Sequence, residues 1–250
     1  MRTLSIAAMQ SAPIARDPDA TLERLAERAP AVKAVVPHAQ LLVLPELHLS
    51  AVPELLDESD GYTDSVAVEV PGPLTERLGE IARDNELWVA AGSVYERSDR
   101  GHIHNTAVVV SPQGGLAARY RKVFPWRPTE RSVPGDGFVT FDIPDVGRLG
   151  LAICYDGFFP EVIRQLAWLG AEVVIQPTLT TTSDREAELI AARANAMRTT
   201  PSRVGSTFVY HCAEGQPGSI VERESRTRST SPANSSSLNA ALGFSTFTSG

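Results

Sequence analysis

The 250-residue chain carries 23 Lys and Arg against 30 Asp and Glu, a formal net charge of −7, with 42% hydrophobic and 21% charged residues. That ordinary, acidic globular balance argues against a protein that binds nucleic acid or anionic membranes by nonspecific attraction, and no apolar run reaches the roughly 18 residues that cross a bilayer. Two cysteines, Cys154 and Cys212, are too few for a disulfide framework and suit a reducing, cytoplasmic setting.

The first nine residues have the look of a secretory leader, but the apolar stretch is short and Gln10 follows at once. Residues 4–9 therefore read as a strand. Asp17-Pro18 opens a helix with Leu22, Leu25, Ala26, Ala29 and Val32 on one face. Pro30 falls inside that pattern and is expected to kink or split the helix. Leu41-Leu42-Val43-Leu44 reads as a strand buried on both faces, stopping at Pro45-Glu46. Pro73 opens a second helix with Leu74, Leu78 and Ile81 at helical spacing. Strands follow at 87–94 and 105–110, then a turn at Gln113-Gly114-Gly115 and a β segment ending at Lys122. Residues 149–153 form a further buried strand, ending at Cys154. Pro160 starts a helix that Gly170 closes. A strand at 173–176 and a helix at 184–197 complete an alternation of β and α that marks a layered α/β domain. No linker or repeat divides it, so 1–197 reads as one domain.

Three polar residues stand where buried strands end: Glu46, Lys122 and Cys154. Ligands and catalysis collect at such ends. Cys154 lies between a strand and a helix, the shape of a nucleophile elbow, in which the thiol and the next backbone N–H face the same point. On local sequence alone it reads more readily as a small buried hydrophobe. Glu46, directly behind four apolar residues, is expected to be partly desolvated, which suits a proton shuttle; a solvated loop carboxylate is the alternative. Lys122 is either a surface cation or a fixed ammonium that stabilises charge on a carbonyl oxygen. Of the five histidines, His38, His48, His102, His104 and His211, only the alternating His102 and His104 have a metal-pair spacing, and no third ligand cluster accompanies them.

Leu44-Pro45-Glu46-Leu47, Tyr120-Arg121-Lys122-Val123-Phe124-Pro125-Trp126 and Ala152-Ile153-Cys154-Tyr155-Asp156-Gly157 occur in this order. Together they resemble the three blocks of the nitrilase superfamily, the carbon–nitrogen hydrolases, over about residues 3–197. The resemblance implies a four-layer α-β-β-α sandwich and a Glu46–Lys122–Cys154 triad working without a metal or organic cofactor. It also implies a supporting Glu130, an oxyanion contact from the backbone N–H of Tyr155, and pairing into a homodimer or higher homo-oligomer. Phe124-Pro125-Trp126 and Tyr155-Asp156-Gly157 most resemble the aliphatic amidase and formamidase branch. The implied reaction is hydrolysis of a small amide or nitrile-like substrate by water through a Cys154 thioester, with no nucleic-acid or membrane partner. Trp126 could wall the pocket or fill a core. An inactive member that only binds an amide-like ligand, a Cys–His hydrolase and an acyltransferase using the same cysteine are the rival readings.

After residue 197 the text changes. Residues 198–250 hold 11 Ser, 7 Thr, 5 Arg and 3 Glu, with no Asp or Lys, so the tail is +2 and the body −9. Residues 204–212 could still form a strand, and the domain could continue to about 221. From 222 the composition points to disorder or an aberrant tail. A divergent natural tail and a reading-frame shift near codon 197 both explain such text, and its Arg, Ser, Thr and Pro bias favours the shift. The gene decides: a shift predicts that another frame after codon 197 restores strand-patterned sequence, and its absence removes the idea.

Overall fold

The computed structural model describes residues 4–52, 61–180, 184–198, 207–211, 219–221 and 244–248. Strand β1 (Ser5–Met9) shows how the layers arise. Successive side chains point to opposite faces. Ile6 and Ala8 join one hydrophobic cluster, Ala7 and Met9 another. The same split holds in β2 (Leu41–Val43), where Leu41 and Val43 share the cluster of Ile6 and Leu42 faces the other way.

The first sheet contains β1, β2, β3 (Trp88–Arg97), β4 (Ile103–Val110) and β5 (Leu116–Arg121). Strands β1, β2 and β3 run parallel, and β4 and β5 add antiparallel. The second sheet contains β6 (Thr140–Ile143), β7 (Gly147–Leu151), β8 (Val173–Pro177), β9 (Thr207–His211) and β10 (Ser219–Val221), in the order β10-β9-β8-β7-β6. Strand β11 (Phe244–Thr248) pairs antiparallel with β1 at the edge of the first sheet. Strands β9 and β10 thus lie beyond residue 197, and β11 lies within 222–250, where composition pointed to disorder. Cys212 falls outside the described residues.

Between the sheets lies a core of Ile6, Leu41, Val43, Val109, Tyr120, Leu149, Leu151, Ile153 and Ile175, among others. The outer face of the first sheet packs on α1 (Pro18–Val35) and α3 (Pro73–Asp84), through Leu25, Ala29, Val32, Leu78 and Ile81. A short α2 (Tyr62–Val66) precedes α3. The outer face of the second sheet packs on α4 (Pro160–Trp168) and α5 (Arg185–Arg198), through Val162, Ile163, Leu166, Ala192 and Ala196. The layers are therefore α-β-β-α, as expected.

Two local readings change. Helix α1 runs through Pro30 without splitting. Pro30 is exposed, so the carbonyl it leaves unpaired is on the face that water reaches. Strand β6 went unread, because Thr140-Phe141-Asp142-Ile143 is too short to show a period.

Glu46 is set by a bulge in the neighbouring strand. The β3–β4 register shifts between Ala90 and Ser93, and Gly92 there has φ +68°. A Cβ on Gly92 would collide with the Pro45 carbonyl oxygen. Ser93 Oγ accepts the Leu47 N–H at 3.1 Å, fixing the chain just past Glu46. Gly92→Ala is therefore expected to destabilise the protein by more than about 1 kcal/mol, from both the left-handed φ and the close approach. Urea unfolding checks this, and an unchanged midpoint contradicts it.

Candidate active site

The inward rows of the sandwich end in polar residues at one end. On β4 the row runs Val109, Ala107, Asn105; on β5 it runs Ala118, Tyr120 and then Lys122 just past the strand. On β7 it runs Leu149, Leu151 and then Ile153, with Cys154 next in the chain. The Lys122 N–H bonds the Asn105 carbonyl at 2.8 Å, so the β4–β5 ladder itself places these two side chains together.

Lys122, 2% exposed, donates from Nζ to Glu46 Oε1 at 3.0 Å and to Glu130 Oε2 at 2.7 Å. Asn105 Nδ2 donates to the same two carboxylates, to Glu46 Oε1 at 2.9 Å and to Glu130 Oε1 at 3.0 Å. Glu46 Oε2 accepts the Leu179 N–H at 2.9 Å. Glu130 also accepts from the Trp126 N–H at 2.9 Å and from Ser132 Oγ at 2.8 Å. Burial disfavours charge on Lys122, but Glu46 and Glu130 outweigh it and hold the ammonium well above its ordinary pKa. Burial likewise opposes ionisation of Glu130, yet Lys122 and the N–H donors leave its pKa below the usual value.

Cys154 opens a 3-10 turn, Cys154–Phe158, that leads into α4. Its φ is +44°, a strained value for a residue with a Cβ. Buried partners hold it there. Asp156 Oδ2 accepts the Ile153 N–H at 2.9 Å and the Tyr120 hydroxyl at 2.8 Å, and Oδ1 accepts the Phe124 N–H at 2.9 Å. Gln176 Nε2 donates to the Cys154 carbonyl at 3.0 Å. Among the charged groups, Glu46 acts most strongly on the thiol. Burial, then the Glu46 charge, push the thiol well above its ordinary pKa, and Lys122 only partly offsets them.

Glu46, Lys122, Glu130 and Cys154 thus come together, although 76 residues separate Glu46 from Lys122. Trp126 is tied to Glu130 through its backbone, and Tyr155 follows Cys154 in the turn with its ring against Phe158 and Phe159. His38 and His102 are exposed, and His104 Nδ1 meets the Val133 carbonyl at 2.8 Å. Burial first, with Arg24 and Arg28, pushes His48 down to about 4. The charges acting most strongly on the thiol are Glu46, Lys122 and Glu188. Among the described residues no group of three or more His, Cys, Asp or Glu is placed to hold a metal ion, and no helix is long and apolar enough to cross a membrane.

Asn105, Asp156 and Glu188 went unread as site residues. Asn105 had a signal: it continues the inward row of Val109 and Ala107 on β4. Asp156 stood in the cysteine block without a role. Glu188 carries no local mark, because its place depends on how α5 docks.

Burial pushes the Asp156 carboxyl from 3.8 up to about 6, against the Lys122 charge and its three hydrogen bonds. Between those two values the folded chain holds a proton that the unfolded chain has released. Stability from this group is therefore present at low pH and lost as pH rises from about 4 to about 6, by up to about 3 kcal/mol. The difference in unfolding free energy between wild type and Asp156→Asn should fall across that window; a flat difference contradicts the assignment.

The carbon–nitrogen hydrolase family model matches residues 5–203. A formamidase from Bacillus thuringiensis (strain Al Hakam) is 32% identical over 181 residues, which make up 72% of this chain and 53% of that protein. The chain thus spans about half the length of the curated relatives it matches. The crystal structure of an amidase from Nesterenkonia sp. is 26% identical, with a TM-score of 0.69 over 88% of this chain and 79% of that one. Saccharomyces cerevisiae Nit3, a member of branch 10 of the nitrilase superfamily, shares the fold, with a TM-score of 0.76 and 23% identity over 88% of this chain and 83% of that one. With the family model covering most of the chain, the protein belongs to the carbon–nitrogen hydrolase family of the nitrilase superfamily.

Proposed function

We propose that the protein hydrolyses small aliphatic amides through a thioester on Cys154. The observation that carries this reading is one buried carboxylate, Glu46, bonded to the Lys122 ammonium at 3.0 Å and acting by its charge on the Cys154 thiol. The amidase and formamidase names of its relatives place small amides first among the substrates to test.

Cys154 rests as a thiol, so attack is coupled to proton transfer rather than begun by a standing thiolate. The sulfur bonds to the amide carbonyl carbon while Glu46 takes its proton. An ammonium has three N–H donors, and Lys122 spends two on Glu46 and Glu130. Its third, with the Tyr155 N–H, receives the oxyanion. As the carbon–nitrogen bond breaks, Glu46 gives the proton to the leaving nitrogen. Water then attacks the thioester, Glu46 takes a proton from it, and the acid departs as the thiol re-forms. Glu130 holds Lys122 in place, through the shorter of its two carboxylate contacts.

Cys154→Ala should keep the fold and lower ammonia release from small amides by roughly a thousandfold or more. Glu46→Gln should keep the thiol titratable and also lose release. Lys122→Met should fail differently: it strands two buried carboxylates and costs about 3–5 kcal/mol of stability as well as activity. A panel of small amides and nitriles scored for ammonia checks all three, and full release by Cys154→Ala overturns the reading.

A further inference from the structure

Asn105 is fully buried on β4, at the polar end of the inward row of Val109 and Ala107. An amide nitrogen carries two hydrogens, and here both go to carboxylates, one to Glu46 Oε1 at 2.9 Å and one to Glu130 Oε1 at 3.0 Å. Its own Oδ1 is buried and meets no donor among the described residues. A buried acceptor without a donor costs free energy, so Asn105 fills an apolar row less well than Val or Ala. What it brings is the pair of donors.

Those donors make the two oxygens of Glu46 unlike. Oε1 accepts from Asn105 and from Lys122 Nζ at 3.0 Å, which uses both of its lone pairs. Among the described residues Oε2 accepts only the Leu179 N–H, at 2.9 Å, so one lone pair stays open there. Without the Asn105 bond both oxygens would be open to a proton. The neutrality of the donor matters as well. Glu46 and Glu130 carry two negative charges against the single Lys122 ammonium. Asn105 satisfies both carboxylates without cancelling either charge, so the trio keeps one net negative charge with which to take a proton. A cation in its place would leave none.

We propose that Asn105 is a positioning residue that closes Glu46 Oε1, so that Oε2 is the atom that takes the Cys154 proton and returns it to the leaving nitrogen. This rests on the hydrolase reading of the same site. As the sulfur–carbon bond forms, the S–H bond breaks and its proton goes to Oε2. As the carbon–nitrogen bond breaks, Oε2 gives that proton to nitrogen. Asn105 exchanges no proton and acts through the two carboxylates. Its bond to Glu130 is one of those that keep that carboxyl below its usual range. The other titratable groups acting on this cluster are Cys154 and Asp156 in the turn after β7 and Glu188 on α5.

Asn105→Leu removes both N–H bonds at nearly constant volume and alters none of these charges. A carboxylate that accepts fewer N–H bonds binds its proton more firmly. Ammonia release from formamide and acetamide, measured against pH, reads this. The acid limb of kcat/KM is expected to move up by about one to two pH units. Above the limb kcat should fall about tenfold to a hundredfold while KM changes little, because Asn105 aims the base and does not hold the amide. Asn105→Ser, which keeps one donor, should move the limb in the same direction by less, and tests the idea should the Leu variant not fold. A folded variant whose activity falls by one factor at every pH, with the acid limb unmoved, overturns this role and leaves the hydrolase reading in place. No ammonia from either amide with the unaltered chain overturns both.

Discussion

A single ammonium between two buried carboxylates is the constraint on which the site depends. Lys122 is 2% exposed and meets Glu46 and Glu130 at 3.0 and 2.7 Å. Three charges withdrawn from water carry a large desolvation cost, and attraction repays it only when geometry is good and the remaining lone pairs are satisfied. Here they are. Asn105 donates to both carboxylates, Leu179 to one, and Trp126 and Ser132 to the other. The donors come from β4, from the segment after β8 and from the loop after β5. The two sheets are therefore joined at this end by a polar network, where elsewhere they are joined by apolar contact. The same bonds that satisfy Glu46 also aim it, so its position for the proposed reaction and the stability of the fold are one requirement.

The cysteine turn shows the complementary case of strain held by its surroundings. A φ of +44° costs a residue with a Cβ about 1–2 kcal/mol. Asp156 offsets this by gathering Ile153, Phe124 and Tyr120 into one buried knot. Gln176 and Asn195 bind the turn's carbonyls from β8 and α5. Gly157 is required there, because a Cβ would meet the Gln176 side chain. The turn is fixed from five directions, so the sulfur does not need to find its position when substrate arrives.

Much of this was legible in the chain because period and position carried it. Leu41–Val43 and the run into Cys154 announce strands buried on both faces, and polar residues at their ends stand out against such text. Glu46 and Cys154 were found in that way, whereas Lys122 ends a strand buried on one face only, with Ala118 and Tyr120 inward and Arg119 outward. Asn105 was legible in principle, since it continues an inward row, but a lone Asn in a strand has several uses. Pro30 misled because a proline is disruptive only where its missing N–H is needed by a buried carbonyl. Asp156 and Glu188 were opaque for a different reason. Their surroundings are set by how other elements dock, Tyr120 on β5 for the first and the segment after β8 for the second.

The balance of charge around the sulfur also narrows how the chemistry can run. A cysteine beside a lone cation would rest as thiolate, ready for any electrophile. Here Lys122 is already committed to two carboxylates, and the Glu46 charge acts on the thiol. In the proposed reaction the thiol therefore stays protonated until a carbonyl is close enough for the forming oxyanion to claim the third Lys122 N–H. On the proposed mechanism, that step turns the ammonium from neutralising Glu46 to stabilising substrate charge at the moment Glu46 gains its proton. Proton transfer and oxyanion stabilisation are then two sides of a single redistribution, and a compound that cannot present a carbonyl oxygen to Lys122 leaves the thiol unactivated.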